Sequence, residues 1–573
     1  DWRFDEDEPA AEALPAFRFE RFPAGRVGTL ISPEVPFGLW LGSARDSDLK
    51  ELAAFPSLQT LVFENPFSYV VTDAGLKELA PLKNLQSLDL RHTAQTDAGL
   101  KELAALKQLR TLRLGHVTGA GVKDLAGLEH LQSLAFESTT VTDEGLHAIA
   151  GLKHVRTLRL RHTEVTSAGM KELARMKQLQ TLSLQQTRLR EGDLQAVAGL
   201  TQLESLNLDS TDVFEADLHA LAGLTRLQSL DLDWGWQVTD EGLMALTPLK
   251  ELRTLNLNKT KVTDAGLKDV ARFEQLESLE LSDTAVTDAG LKALAGLKHL
   301  RSLNLNSTGV GDAGLKELRA LSELRSLKLF RANVTDVGMK ELAALNKLES
   351  LSLFWTDVTD EGVKDLFPLK QLQSLNLYGT KVTGSGLRAL GGLPHLRRLE
   401  LQDAPVTDAG LRGISALRNL QWLSLRQTEV ADLKGLAGLQ QLRTLDLFRT
   451  EITDEGLQSL AGLKHLRSLN LDGTQITDAG LKELSGLQQL RSLDLRGTHV
   501  TDEGLKALVG LKHLQTLVLS RTDVTDAGLP ALYGLPQAQR LSLPGRITDA
   551  AIGKLQNALP QAMISADRPP YTM

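Results

Sequence analysis

A 24-residue phrase recurs along almost the whole chain, and it excludes most ways a polypeptide can fold. Reading from Leu85 gives LQSLDLRHTAQTDAGLKELAALKQ, and reading from Leu466 gives LRSLNLDGTQITDAGLKELSGLQQ. Aligned on the triplet Val/Ile-Thr-Asp, the phrase occurs 21 times, some copies degenerate, at residues 71, 95, 117, 141 and onward to 547, with a worn copy near Asp46–Leu49. Sixteen of the 20 spacings are 24; the others are 22, 25, 22 and 23. A length of 573 residues would otherwise predict about four ordinary domains. A repeat this regular grows instead as one solenoid, each copy resting on its neighbours.

Each copy carries two periodicities. The segment L-x-x-L-x-L ends with apolar residues two apart, which predicts a short strand burying alternate side chains. The following T-D-A-G-L-K-x-L-A-x-L places Leu at i, i+3 and i+6, a helical stripe. Thr or Asp ahead of that stripe caps the helix, and the Asp carboxylate complements its N-terminal dipole. Asp fills its slot in 16 of 21 copies and Glu in two more; the first glycine is present in 17, with Asp193 and Asp217 among the replacements. Neither strand nor helix is long enough to fold alone, so each must bury its leucines against the next copy. Stacked, they form an α/β solenoid: an arc or horseshoe with a parallel sheet on the concave face and short helices on the convex one.

These residues resemble the leucine-rich repeat family, whose signature L-x-x-L-x-L-x-x-N/C-x-L appears here with Thr in the Asn/Cys slot, as at Thr93, Thr163, Thr260, Thr308 and Thr474. A hydroxyl there can bond the loop backbone. The phrase T-D-A-G-L-K-x-L-A is similar to repeats of planctomycete bacterial proteins and, more distantly, to those of F-box adaptor proteins. The resemblance covers about residues 44–565 and implies a fold and a binding habit rather than a reaction. It frames three regions: a capping segment over 1–43, about 22 repeats over 44–548, and a cap and tail over 549–573. In the first, FRFERF and VGTLIS alternate like strands; in the last, AAIGKLQNALPQAMIS predicts a final helix and a stub strand.

Composition narrows function. A net charge of −8 argues against a nucleic-acid partner held by a basic face, and zero cysteines excludes thiol nucleophiles, thiolate metal sites and disulfide caps. No apolar run reaches the ~18 residues of a membrane span, so membrane insertion is not expected. The chain opens on Asp1 rather than Met, which points to a removed leader or domain and toward a bacterial exported or periplasmic setting. The P-loop, H-E-x-x-H and G-x-S-x-G patterns are absent, and the one G-x-G-x-x-G, Gly309–Gly314, lies in phase with the repeat. No catalytic, cofactor-binding or metal site is therefore assigned, and no enzyme is expected.

The strand-end positions carry the candidates for binding. Six histidines recur in one slot and read as structural. Arg91, His92, Arg113, His116, Arg159, Arg161 and His162 follow strand leucines and make a basic strip: a solvated face balanced by Glu137, or a seat for an anionic partner. Asn207, Asp231, Asn256, Glu280 and Asn304, with Asp209, Asp233, Asn258, Ser282 and Asn306, make two oxygen ladders, read as a soluble polar face with Ca²⁺ binding as the alternative. Phe330, Arg331, Phe354, Trp355, Tyr378, Arg426, Phe448 and Arg449 concentrate aromatics and arginines in one column pair. They read either as recognition hot spots or as packing between adjacent repeats. Gly379 beside Tyr378 is expected to let a ligand approach the backbone. Phe136, Phe273 and Phe367 are expected to replace core leucines by phase. The resulting expectation is a non-catalytic scaffold binding a protein or peptide on its concave face, the alternative being a structural subunit that meets its partners through its ends or convex helices.

Overall fold

The computed structural model describes residues 15–19, 35–42, 44–64 and 70–568. They divide into two compact units, Asp1–Leu279 and Glu280–Met573. In the first, strands from Ala16–Phe19 and Phe37–Leu41 through Thr254–Asn256 pair only in parallel, in an unbroken succession of neighbours. In the second, the parallel succession runs from Ser302–Asn304 to Met563–Asp567. Register sets leucine on leucine: Leu88, Leu112, Leu134 and Leu158 in one unit, Leu303, Leu327, Leu351 and Leu375 in the other.

Burial explains the period. Within one repeat Leu327, Leu329, Val334, Met339, Leu342, Leu345 and Leu348 are all at or below 1% exposure, strand and helix stripes facing each other across a single core layer. Each such side chain contributes about 1.5–3 kcal/mol by leaving water. The helices are short α or 3-10 segments such as Asp312–Glu317, and most begin directly after the Thr of the triplet. That Thr caps its own helix, as Thr335 does by accepting from Val337 N at 3.3 Å. The Thr in the signature slot donates to the strand leucine three residues earlier, as Thr308 Oγ1 does to Leu305 O at 2.7 Å.

The triplet Asp does more than complement its helix. Asp312 accepts from Thr335 N (2.8 Å), Thr335 Oγ1 (2.7 Å) and Gly338 N (3.0 Å), all in the following repeat. The same staple joins Asp73 to Thr96, Asp240 to Thr263, Asp336 to Thr359 and Asp478 to Thr501. It also explains the glycine, whose missing Cβ is the space the preceding Asp occupies: a Cβ on Gly99 or Gly266 would strike the carboxylate of Asp73 or Asp240. Where the preceding slot is Ser167 or Glu191, the glycine slot is free to hold Asp193 or Asp217. The fully buried Asp217 then accepts from Gly192 N and Leu194 N of the repeat before it, at 3.1 and 3.3 Å. The glycine thus answers a neighbour's side chain rather than a tight helical turn.

Three of the four irregular spacings have local structural consequences. The loop shortened by two residues has left-handed His116 (φ 56°) followed at once by buried Val117. The copy shortened in its helical half keeps only the three-residue 3-10 turn Lys434–Leu436. The one-residue insertion exposes Trp234 and Trp236, at 38% and 59%, with Lys259 Nζ 3.8 Å from the Trp234 ring. One phase reading fails: Phe136 and Phe273 are buried, but Phe367 is 52% exposed on the helix side, under Lys370 Nζ at 3.5 Å, because Leu366 takes the core slot. Strand Ala16–Phe19 covers the first half of FRFERF, VGTLIS lies outside the described residues, and the C-terminal stretch forms helix Asp549–Ala558 and strand Met563–Asp567.

Candidate functional site

Two positions of each strand look out from the sheet, one on either side of its second buried leucine; the residue after the outer position turns the chain into the loop. Arg331, Trp355, Gln427 and Arg449 occupy this turn, with φ between 50° and 55°, as do Gly379 (φ 62°), His116 and His162. The expected pair of face columns therefore resolves into one face column, Phe330, Phe354, Tyr378, Arg426 and Phe448, and a left-handed corner beside it. The two histidines stand at corners and not on the sheet face.

In the second unit three rings of that column stack at the repeat spacing. Phe330 and Phe354 have centroids 4.5 Å apart at 25°, and Phe354 and Tyr378 4.2 Å apart at 16°. Strands ~4.8 Å apart impose this distance, so identical ring placement in consecutive repeats gives face-to-face stacking without further design. Trp355 meets Phe354 edge-on at 5.9 Å and lies over Gly379, where a Cβ would collide with its indole. The space at Gly379 is thus filled by Trp355, not left for a ligand. Trp355 remains 47% exposed.

The arginines cover ring faces. Arg331 sits 4.6 Å from Trp355 and 5.0 Å from Phe330; Arg426 and Arg449 sit 4.4 and 5.0 Å from Phe448. Arg426 also pairs with Asp446 at 3.2 Å, whereas Arg331 and Arg449 make no close ion pair among the described residues, Arg449 acting on Asp472 only through its charge. A hydrogen bond from the Tyr378 hydroxyl to Asp403 raises the phenol's pKa above its ordinary value, with burial adding to the rise. Gln402 and Arg426 lie in the column between Tyr378 and Phe448, so the aromatics form a three-ring stack with its tryptophan and, apart from it, one arginine-sandwiched phenylalanine. Asp403 is the contributor that residue type alone did not flag.

In the first unit the basic strip is held in internal pairs. Arg91 reaches Asp89 at 2.8 Å and Glu137 at 3.3 Å, Arg113 reaches Asp89 at 3.5 Å, and Arg161 reaches Glu137 at 2.8 Å. Burial works against the Arg91 charge, but its bonds and charge pairing with Asp89 and Glu137 prevail and hold its pKa above the ordinary arginine value. His92 is pushed below the usual histidine range, first by burial and then by Arg91.

The inner oxygen ladder is largely spent on backbone. Asn207, Asn256, Asn304 and Asn376 each accept from the N–H two residues on, at 2.9–3.1 Å. Asp231 does the same for Asp233 at 3.1 Å. No grouping of His, Asp and Glu suited to a metal ion exists among the described residues. No helix among them is long and apolar enough to cross a membrane.

A family model described as "Leucine-rich repeat region" matches residues 68–315 and 242–455, and two further leucine-rich repeat models match 440–500 and 510–532. No curated protein matches the chain. Among solved structures, TLR13 in a complex with ssRNA13 is similar over 87% of this chain and 83% of its own, at 17% identity and a TM-score of 0.50. The ectodomain of the plant membrane receptor kinase GASSHO1/SCHENGEN3 from Arabidopsis thaliana aligns over 94% of this chain and 76% of its own, at 16% identity and 0.45. An internalin from Listeria monocytogenes aligns over 60% and 82%, at 20% identity and 0.37. Similarity at these identities speaks to the fold alone.

Proposed function

The chain belongs to the leucine-rich repeat family, and on that premise we propose that it is a non-catalytic scaffold which binds an extended peptide or protein segment on the sheet face of its second unit. The observation that carries the proposal is the Phe330–Phe354–Tyr378 stack with Trp355 half-exposed against it. The stack places apolar edges on a face whose other strands show mainly Asn, Asp, Ser and Arg. Rings buried this way cost little side-chain entropy on binding, which suits them as anchors. Arg331 and Arg449, which make no close ion pair among the described residues, supply the charge that selects an acidic group beside the apolar contact. The stacking of the same rings on each other is the packing role the sequence left open, so one set of residues stiffens the surface and presents it.

The regions fit the same reading. Residues 44–548 are the repeat array, strands Ala16–Phe19 and Phe37–Leu41 cover its first leucines, and helix Asp549–Ala558 with strand Met563–Asp567 closes the other end. The phrase T-D-A-G-L-K-x-L-A, similar to repeats of planctomycete bacterial proteins, supports a bacterial source. Panning a random displayed-peptide library on the full chain tests the binding role. Enriched sequences should carry an aromatic or aliphatic anchor near Asp or Glu and lose binding to Trp355→Ala and Tyr378→Ala. Peptides that bind both variants as well as the parent would remove the site from this face.

A further inference from the structure

A second binding site, for a different chemistry, lies in the first unit. On strand Ser133–Glu137 the inner face position is Ala135, and its register partners on either side are Arg113 and Arg159. On the outer position Gly115, Glu137 and Arg161 follow one another across three strands. Ala135 opens a notch between the long side chains of Arg113 and Arg159. Arg91 reaches Glu137 two strands away, on the far side of the strand that holds Gly115. Ala135 forms the floor, and Arg91, Arg113, Arg159 and Arg161 stand around it. The cavity measures about 250 Å³, roughly the space of eight waters at ~30 Å³ each. Its lining continues over Ser183, Gln185 and Asn207 of the next two repeats, and the notch at Ala135 is its arginine-rich end.

The charges are arranged for an anion. The formal charges of Arg91, Arg113, Arg159, Arg161, Asp89 and Glu137 sum to +2. Asp89 is only 4% exposed beneath Arg91 and Arg113, and Glu137 is bridged from both sides, so each carboxylate acts as a fixed strut that aims its arginines. Planar guanidiniums fixed around a notch match a tetrahedral oxyanion by paired N–H donors, and an excess of two charges matches a dianion better than a single carboxylate.

We propose that the Ala135 notch binds a phosphate monoester, as free phosphate or carried on a peptide side chain, independently of the aromatic face of the other unit. Titration calorimetry on the full chain at fixed ionic strength tests this, using inorganic phosphate, a phosphoserine peptide and the same peptide with plain serine. Saturable one-to-one binding of phosphate and of the phosphopeptide is expected, with chloride and the serine peptide inert; the tighter of the two names the source. Arg159→Gln should weaken binding at least tenfold. Ala135→Gln, which fills the notch and leaves every charge in place, should abolish it. Glu137→Gln keeps an amide oxygen as acceptor for Arg91 and Arg161 while removing a negative charge, and should tighten it several-fold, a gain that a misfolded variant does not produce. The proposal is overturned if phosphate behaves as chloride does, if the serine peptide binds equally, if Ala135→Gln and Glu137→Gln leave affinity unchanged, or if an RNA oligonucleotide outcompetes the phosphopeptide.

Discussion

The outer face position carries Arg91, Gly115, Glu137 and Arg161 in one unit, and Phe330, Phe354 and Tyr378 in the other, on the same parallel backbone with the same buried leucines. In the first, long charged side chains reach across one or two strands to pair with one another, so the face is electrostatically organised and offers its surplus charge at a notch. In the second, rings stay over their own strands and stack at the strand spacing, so the face is stiff and apolar. The scaffold is indifferent to the choice, because neither column contributes to the leucine layer beneath. Recognition chemistry can change along such an array while the fold stays fixed.

That indifference is tested most severely below the surface. Leu160→Ala under the charged face and Leu353→Ala under the aromatic one remove equally buried side chains and should each cost about 2–5 kcal/mol in denaturant unfolding. A large difference between them would mean that one face supports its core. The next effect concerns binding alone. Trp355→Ala should cost about 2 kcal/mol of affinity for a selected peptide while lowering stability by about 1 kcal/mol or less, since its indole is half-exposed. A loss of stability larger than the loss of affinity would make Trp355 packing for Gly379 and nothing more.

The fold was legible because the repeat writes burial directly into sequence: two apolar residues two apart, then three at helical spacing, with loop lengths fixed by the period. The site was only half legible. Position after a strand leucine predicts exposure, yet it does not distinguish the sheet face from the left-handed corner that holds Trp355, Arg331 and His162. Phe367 was misread because a leucine one residue earlier claims the core slot. The Ala135 notch carries no chemical residue of its own, and only reading the inner column as Asp89, Arg113, Ala135, Arg159 reveals it.

The Asp staples join repeats through contacts between residues 23 to 26 apart. Their trace in the sequence is the exchange of Asp-then-Gly for Ser167-then-Asp193, visible only when consecutive copies are compared. Asp312→Ala strips acceptors from Thr335 and Gly338 and should cost about 1–2 kcal/mol by thermal unfolding. Ser167→Asp should stabilise the first unit only when paired with Asp193→Gly, because the new carboxylate needs the space of that side chain. Stabilisation by Ser167→Asp alone would show that the glycine does not answer the preceding Asp.

The smallest effect contrasts two aspartates at the same inner face position. Asp89 stands against Arg91 and Arg113, whereas Asp231 has Asp209 and Asp233 as neighbours. Burial, and then those two charges, push Asp231 up to about 6, although the Asp233 N–H and Asn256 stabilise its charged form. A carboxyl raised in the folded state holds its proton more tightly there than in the unfolded chain. Its contribution to stability is therefore fully present below about pH 4 and is lost as pH rises through about 6. At pH 7 Asp231 is ionised at a cost, and Asp231→Asn should then stabilise the first unit by about 1 kcal/mol, with the gain shrinking toward pH 4. Asp89→Asn should do the reverse at pH 7, since it strands two guanidiniums that now share a buried carboxylate. Thermal midpoints of both variants between pH 4 and 8 provide the measurement. If Asp231→Asn destabilises at pH 7 as Asp89→Asn does, the carboxylate of Asp231 is matched by donors strong enough to outweigh its burial, and the contrast between the two faces fails at that position.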